Sequence, residues 1–119
     1  IAFYPRIFDL AHRFFEESWE QICGIDYPTI LIDMEIGFPV VNINSQFHAP
    51  FRYGDHVTAT IWISEIGVKS CTWKYEFHNQ KNELLWSSEQ VTVCVSMKNM
   101  ESLPIPSTLR SGLEGCKLE

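Results

Sequence analysis

What the chain lacks narrows its chemistry first. Its four cysteines, Cys23, Cys71, Cys94 and Cys116, form no C-x-x-C pair, so the spacings of zinc ribbons and thioredoxin-like redox sites are missing. The four histidines, His12, His48, His56 and His78, are scattered, and no two stand at the spacing that puts zinc ligands on one helix face. There is no G-x-S-x-G elbow, which removes the usual serine-hydrolase nucleophile, and no glycine-rich phosphate loop, which removes the common nucleotide cradles. Basic runs are absent, and 9 basic against 15 acidic residues give a formal charge of −6. An acidic surface repels a phosphate backbone. No apolar stretch approaches the roughly 18 residues of a spanning helix, and no signal-peptide pattern is evident. The expectation is a cytoplasmic protein with reduced thiols, no metal, no nucleic-acid partner and no membrane insertion.

What is present is aromatic. The 119 residues suffice for one domain with a real core, and 8 Phe with 4 Trp point to a bulky core or an apolar pocket. From Pro5 to about Ile22, the residues Phe8, Ala11, Phe15, Trp19 and Ile22 recur at helical spacing, with Ile7, Leu10 and Phe14 as a second stripe. Pro5 suits the first turn, where its missing N–H costs nothing, and Gly24 suits the C-terminal cap. Such a helix runs ~27 Å, and so wide an apolar face calls for cover on several sides.

The segment Pro28 to Met34 reads as a short helix or a turn. Four alternating stretches follow, with Val41, Ile43 and Phe47, then Val57, Ala59, Ile61 and Ile63, then Cys71, Trp73, Tyr75 and Phe77, and last Val91, Val93, Val95 and Met97 on the apolar faces. A turn over Pro50 to Asp55, a break at Gly67 and a hairpin loop over Asn79 to Asn82 separate them. Period-two alternation with short connections implies an antiparallel meander curled around the helix, an α+β architecture. On this alternation Cys71 and Cys94 lie on opposite faces. Trp62 interrupts an otherwise polar face, which points to a subunit interface there.

That layout resembles the hotdog fold, and the residues extend the likeness. Ile1-Ala2-Phe3-Tyr4-Pro5-Arg6-Ile7-Phe8 resembles the tail of D-x-x-G-[IV]-x-x-[YH]-[PA]-x-[YI]-[FV], the motif of the 4-hydroxybenzoyl-CoA thioesterase family and its Tol-Pal-associated acyl-CoA thioesterase relatives. Gly37-Phe38-Pro39-Val40-Val41 is similar to the family's first strand after the helix. Phe47-His48-Ala49-Pro50 with Tyr53-Gly54-Asp55 is similar to its P-x-x-x-x-D turn, and Ile66-Gly67-Val68-Lys69-Ser70 to its next hairpin. The resemblance spans nearly the whole chain in order. It implies a single hotdog domain over residues 1–119 that hydrolyses an acyl-CoA thioester. No cofactor is implied, since coenzyme A is part of the substrate.

In this family a loop Asp before the helix acts as nucleophile or general base, and free amides at the helix start stabilise the oxyanion. Motif spacing puts that Asp four positions before Ile1, so the expectation is that the first strand and catalytic loop precede these residues. The resemblance gives the oxyanion role to the Tyr4 backbone N–H. It gives Lys69 a contact with the CoA phosphates, with Arg52 and Lys98 as weaker candidates. Phe38, Ile7 and Phe8 suggest an apolar acyl pocket, and His12, four residues from Glu16 on one helix face, is a pocket-lining or interface candidate. Glu35, Asp55 and Glu65 read as surface acids. Family members pair into dimers and often tetramers, so a homodimer, and beyond it a homotetramer, is the implied assembly. A hotdog dehydratase or hydratase is the competing enzyme reading, disfavoured because Ile1 to Tyr4 hold no His. A non-catalytic acyl-binding or assembly module is the third.

Overall fold

The computed structural model of the chain describes residues 4–117, with side chains from Arg6 onward. Helix α1 runs Tyr4–Cys23 and is the longest element. Its buried line is Ile7, Ala11, Phe15 and Trp19, with Ser18 beside it. These lie four apart, so they stack on one face. The helix ends as its glycine demands. Gly24 takes φ +72°, and its N–H donates to the Glu20 carbonyl at 2.8 Å. Helix α2, Tyr27–Ile32, resolves the ambiguous segment. Asp26 caps it by accepting from the Thr29 N–H at 2.9 Å, and Tyr27 and Ile30 are buried.

Strand β1 (Ile36–Gly37) leads into β2 (Val40–Phe47), β3 (Thr58–Ile66), β4 (Ser70–His78), β5 (Leu84–Val93) and β6 (Val95–Ser96), and helix α3 (Ser107–Gly115) closes the chain. The main sheet has the order β2-β5-β4-β3, antiparallel throughout. The expected meander therefore holds for β3, β4 and β5 and fails for β2. After β2 the chain crosses to the far edge before β3 begins. The crossing segment is fastened to the β4–β5 hairpin beneath it. The His48 N–H donates to the Leu85 carbonyl at 2.9 Å, and the His56 N–H to Gln80 Oε1 at 3.0 Å.

The last alternating stretch also differs from expectation. Val91 and Val93 are only half-buried, while Trp86, Ser88, Gln90 and Thr92 face the core. The register explains this, because Trp86, Ser88, Gln90 and Thr92 stand opposite Phe77, Tyr75, Trp73 and Cys71, the inward residues of β4. The strand stops at Val93, and Val95–Ser96 pair instead with Ile36–Gly37. Cys94 sits at that break, buried in the same core as Cys71 rather than on an opposite face. All four cysteines are free thiols. Burial pushes the Cys71 thiol up to about 12 from an ordinary 9.0. For Cys23, burial first and the nearby Cys116 second push it up to about 11.

The core is a nest of rings under α1. Trp19 lies 4.7 Å from Phe38, 5.4 Å from Trp73 and 5.8 Å from Tyr27 between ring centres. Trp73 meets Phe15 at 4.9 Å, and its indole N–H donates to Thr92 Oγ1 at 2.9 Å. Helix α3 lies against the end of α1, with Leu109 and Leu113 fully buried. A Cβ on Gly112 would stand 2.6 Å from the Ile22 carbonyl oxygen, so only glycine permits this approach. Thus α1 is covered by the sheet, α2 and α3, while Arg13, Glu17 and Glu20 stay exposed. Leu10 and Phe14, the second apolar stripe, face an open seam against Ala59 and Phe77 of about 340 Å³. The enclosure on several sides read from the sequence is therefore incomplete in the single chain.

Candidate functional site

Helix direction decides which end of the molecule matters. Phe8 stands edge-on to Trp86 at 5.8 Å. Trp86 pairs with Phe47 and Phe77, at the end of the sheet where β2 and β4 finish. Eleven residues later Trp19 meets Trp73 near the middle of β4, so α1 starts at the end framed by the 48–57 crossover and the 79–83 hairpin.

Helix geometry supplies the donors at this end. The amides of an α-helix's first turn have no carbonyl four residues back to bond. Here those amides belong to Tyr4, Arg6 and Ile7, since Pro5 has none. The first turn contains no acidic side chain to offset the positive end of the helix dipole. A negative charge developing on a carbonyl oxygen would be stabilised there.

The frame around it is tied together by Asp55. Its carboxylate accepts from the Arg52 N–H at 2.8 Å and from the Gln80 amide at 3.3 Å. The Arg52 N–H bond holds the Asp55 carboxyl below the usual range against an opposing desolvation, with Gln80 and the Arg52 and Lys81 charges adding smaller pulls in the same direction. Asp55, read as a plain surface acid, is thus the clamp that fixes the crossover to the hairpin. Arg52 and Lys81 bring cationic side chains to the same end.

The sequence candidates do not all converge. Tyr4 opens α1, though its side chain lies outside the described residues. His12 is exposed at mid-helix, 3.3 Å from Glu16 and stacked on Phe15 at 5.9 Å. Phe38 is sequestered in the core, its N–H donating to Tyr27 Oη at 3.1 Å. It packs on Trp19, about four turns or ~22 Å from the helix start. Lys69 lies in the β3–β4 hairpin at the opposite end, its Nζ 3.3 Å from Ser102 Oγ. Within one chain, then, Phe38 and Lys69 are not neighbours of Tyr4. Lys98 pairs with Glu35 at 3.0 Å. Among the described residues no cluster of His, Cys, Asp or Glu could hold a metal ion, and no helix is long and apolar enough to cross a membrane.

Two features of the inward face were not legible. One is Trp86, just after the hairpin loop. The other is a polar ladder beside it, where Ser45 Oγ and Ser88 Oγ lie 2.7 Å apart and the Gln90 amide donates to Ser88 Oγ at 3.2 Å. Taking the valines as the inward residues of the last strand hid the ladder. The run Leu84-Leu85-Trp86 directly after the turn was the available signal for the strand's true start.

Known proteins share this architecture. The profile of the Thioesterase superfamily matches residues 1–85. A structure of a gentisyl-coenzyme A thioesterase is 31% identical, with a TM-score of 0.80 over 92% of this chain and 86% of that one. The 1,4-dihydroxy-2-naphthoyl-CoA hydrolase of Crocosphaera subtropica is 24% identical over 122 residues, covering 98% of this chain and 88% of its own. A thioesterase superfamily structure from Jannaschia sp. CCS1 is 18% identical but superposes with a TM-score of 0.91 over 100% of this chain and 83% of its own. With the profile matched over residues 1–85 of 119 and the helix-on-sheet layout shared over 92% of the chain, this chain belongs to the Thioesterase superfamily and has its hotdog fold.

Proposed function

We propose that this thioesterase hydrolyses an acyl-CoA, adding water across the thioester to give a free acid and coenzyme A, with the reacting carbonyl at the start of α1. The reading rests on family membership joined to one feature, a helix start whose first amides have no partner within the helix and whose first turn has no acidic side chain. The Tyr4 N–H is the proposed oxyanion donor. The base or nucleophile is the Asp that the family motif places before Ile1, and no metal is needed because a thioester is already activated toward a positioned carboxylate. Arg52 and Lys81 supply positive charge for the CoA phosphates at the same end.

A panel of aliphatic and aromatic acyl-CoAs, followed by release of free thiol from the full-length natural protein, tests this. Turnover of at least one ester is expected. Silence across the panel would leave only the acyl-binding module.

The active assembly is proposed to be a homodimer joined along β2. This edge strand is eight residues long without a charged residue, and Val40, Val41 and Ile43 are exposed on it. Two acidic molecules thus meet where neither carries charge, and an uncovered flat edge otherwise invites indiscriminate pairing. A two-fold axis through that edge turns the second copy end for end. Its Lys69 hairpin then lies at the same end of the joined sheet as the first copy's helix start. Ile43→Lys should shift sedimentation equilibrium from dimer toward monomer, and a mutant that sediments unchanged would remove β2 as the interface. A tetramer would bring in the outer face of the sheet, where Trp62, Lys74, Glu89 and Asn44 form one row across the four strands.

A further inference from the structure

Helices α1 and α3 meet at their C-terminal ends, and each carries a cysteine there. Cys23 is the last residue of α1, and Cys116 is the C-cap of α3. The contact is built around Gly112. The Cys23 thiol donates to the Leu109 carbonyl at 3.5 Å, and a Cβ on Gly112 would lie 2.9 Å from Cys23 Sγ. Cys23 Sγ thus rests in the space that a Gly112 side chain would fill. Cys116 stands four residues after Gly112, one turn along the same face of α3. Helical side chains lean toward the N-terminus, so the Cys116 side chain covers the Gly112 turn. Both sulfurs therefore overlook one gap with no side chain in it. They are near enough that a charge on Cys116 disfavours one on Cys23. Both residues are partly exposed, and Cys116 lines an open hollow of about 410 Å³ with Phe14, Ser18 and Ala59. Cys71 also lies near Cys23 but is buried in the core, and Cys94 is buried as well.

We propose that Cys23 and Cys116 form a reversible disulfide under oxidation, a redox modification site that staples the end of α1 to the end of α3. Hydrogen peroxide is the oxidant. The Cys116 sulfur, open to the hollow, gives up its proton and attacks the peroxide O–O bond. It becomes a sulfenic acid, and the departing hydroxide takes that proton and leaves as water. The Cys23 sulfur then attacks the sulfenic sulfur and expels a second hydroxide, which leaves as water with the Cys23 thiol proton. Two thiols and one peroxide give one disulfide and two waters. The bond closes most of the chain into one loop, and long loops gain most from closure. Cys116 also holds the edge strand, because its carbonyl accepts from the Ile63 N–H at 3.4 Å. Oxidation fastens α1, α3 and β3 at one corner, at the end of α1 away from the proposed chemistry.

Treating the full-length natural protein with a small excess of hydrogen peroxide tests this. Free thiols should fall by one pair and return with dithiothreitol. Peptide mapping without reduction should recover a Cys23–Cys116 cross-link, and the oxidised protein should melt roughly 10 °C above the reduced one. Cys116→Ser should abolish both the cross-link and the shift. Thiols that stay unreacted overturn the proposal, as does a cross-link to Cys71 or between two molecules. So does Cys116 carried on to the sulfinic acid with Cys23 still free, or a melting temperature that oxidation leaves unmoved. Thioester turnover plays no part in these readouts, so their failure leaves the thioesterase reading standing.

Discussion

Tyr4→Pro is expected to lower kcat by about 10²–10³-fold, the cost of removing one oxyanion donor, while Tyr4→Phe leaves the rate near wild type. The contrast isolates the backbone, because proline is the one substitution that deletes the amide hydrogen and leaves the chain intact. Proline is also well tolerated in a helix's first turn, where Tyr4 sits. The fold should therefore survive, and far-ultraviolet circular dichroism checks that it does. Arg6 and Ile7 still present their amides, so residual catalysis is expected from the rest of the helix end. Full activity in Tyr4→Pro would move the oxyanion site elsewhere. An equal loss in Tyr4→Phe would assign the role to the phenol instead of the backbone.

Trp73→Ala is expected to destabilise the domain by about 3–5 kcal/mol, the usual cost of emptying a buried tryptophan site. Trp73 is fully buried, touches the rings of Phe15 and Trp19, and spends its one polar hydrogen on Thr92. It is thus where α1, β4 and β5 meet. Urea denaturation followed by far-ultraviolet circular dichroism measures the loss, and a cost below about 1 kcal/mol, typical of surface changes, would mean the ring nest is not the keystone. Thr92→Val separates packing from hydrogen bonding. It keeps the shape but strands the Trp73 N–H, and should cost about 1–3 kcal/mol.

Much of this was legible along the chain because α1, β3 and β4 carry clean periods, whereas Val41, Ile43 and Phe47, expected on the buried face of β2, are all exposed. Phe15 and Trp19 sit four apart and both face inward, as do Trp73, Tyr75 and Phe77 at spacing two. Short-range chemistry also read correctly, since Gly24, the Asn79–Asn82 turn and Gly54 take the conformations their residue types favour. What failed was non-local. Nothing in residues 48–57 announces a crossover, because a chain that turns back and a chain that steps over a hairpin use the same Pro, Gly and Asp. The last strand misled for another reason. Its inward face carries Ser88, Gln90 and Thr92, polar groups that the fold satisfies by bonding them to one another and to Trp73, and local hydrophobicity cannot foresee such partners. The start of α1 at Tyr4 was legible from the motif. The distance between Tyr4 and Lys69 was not, since it depends on which way the helix runs over the sheet.

The clamp at Asp55 has a consequence for how such a molecule diversifies. The trailing half is an aromatic scaffold in which every ring constrains several others, so little there can drift. The leading end is an aperture rimmed by two loops, and loops accept insertions that packed rings refuse. Yet Asp55 and His56 on one rim are laced to Gln80 on the other. Neither loop can lengthen without releasing its neighbour, so new apertures on this scaffold arise by paired changes in both.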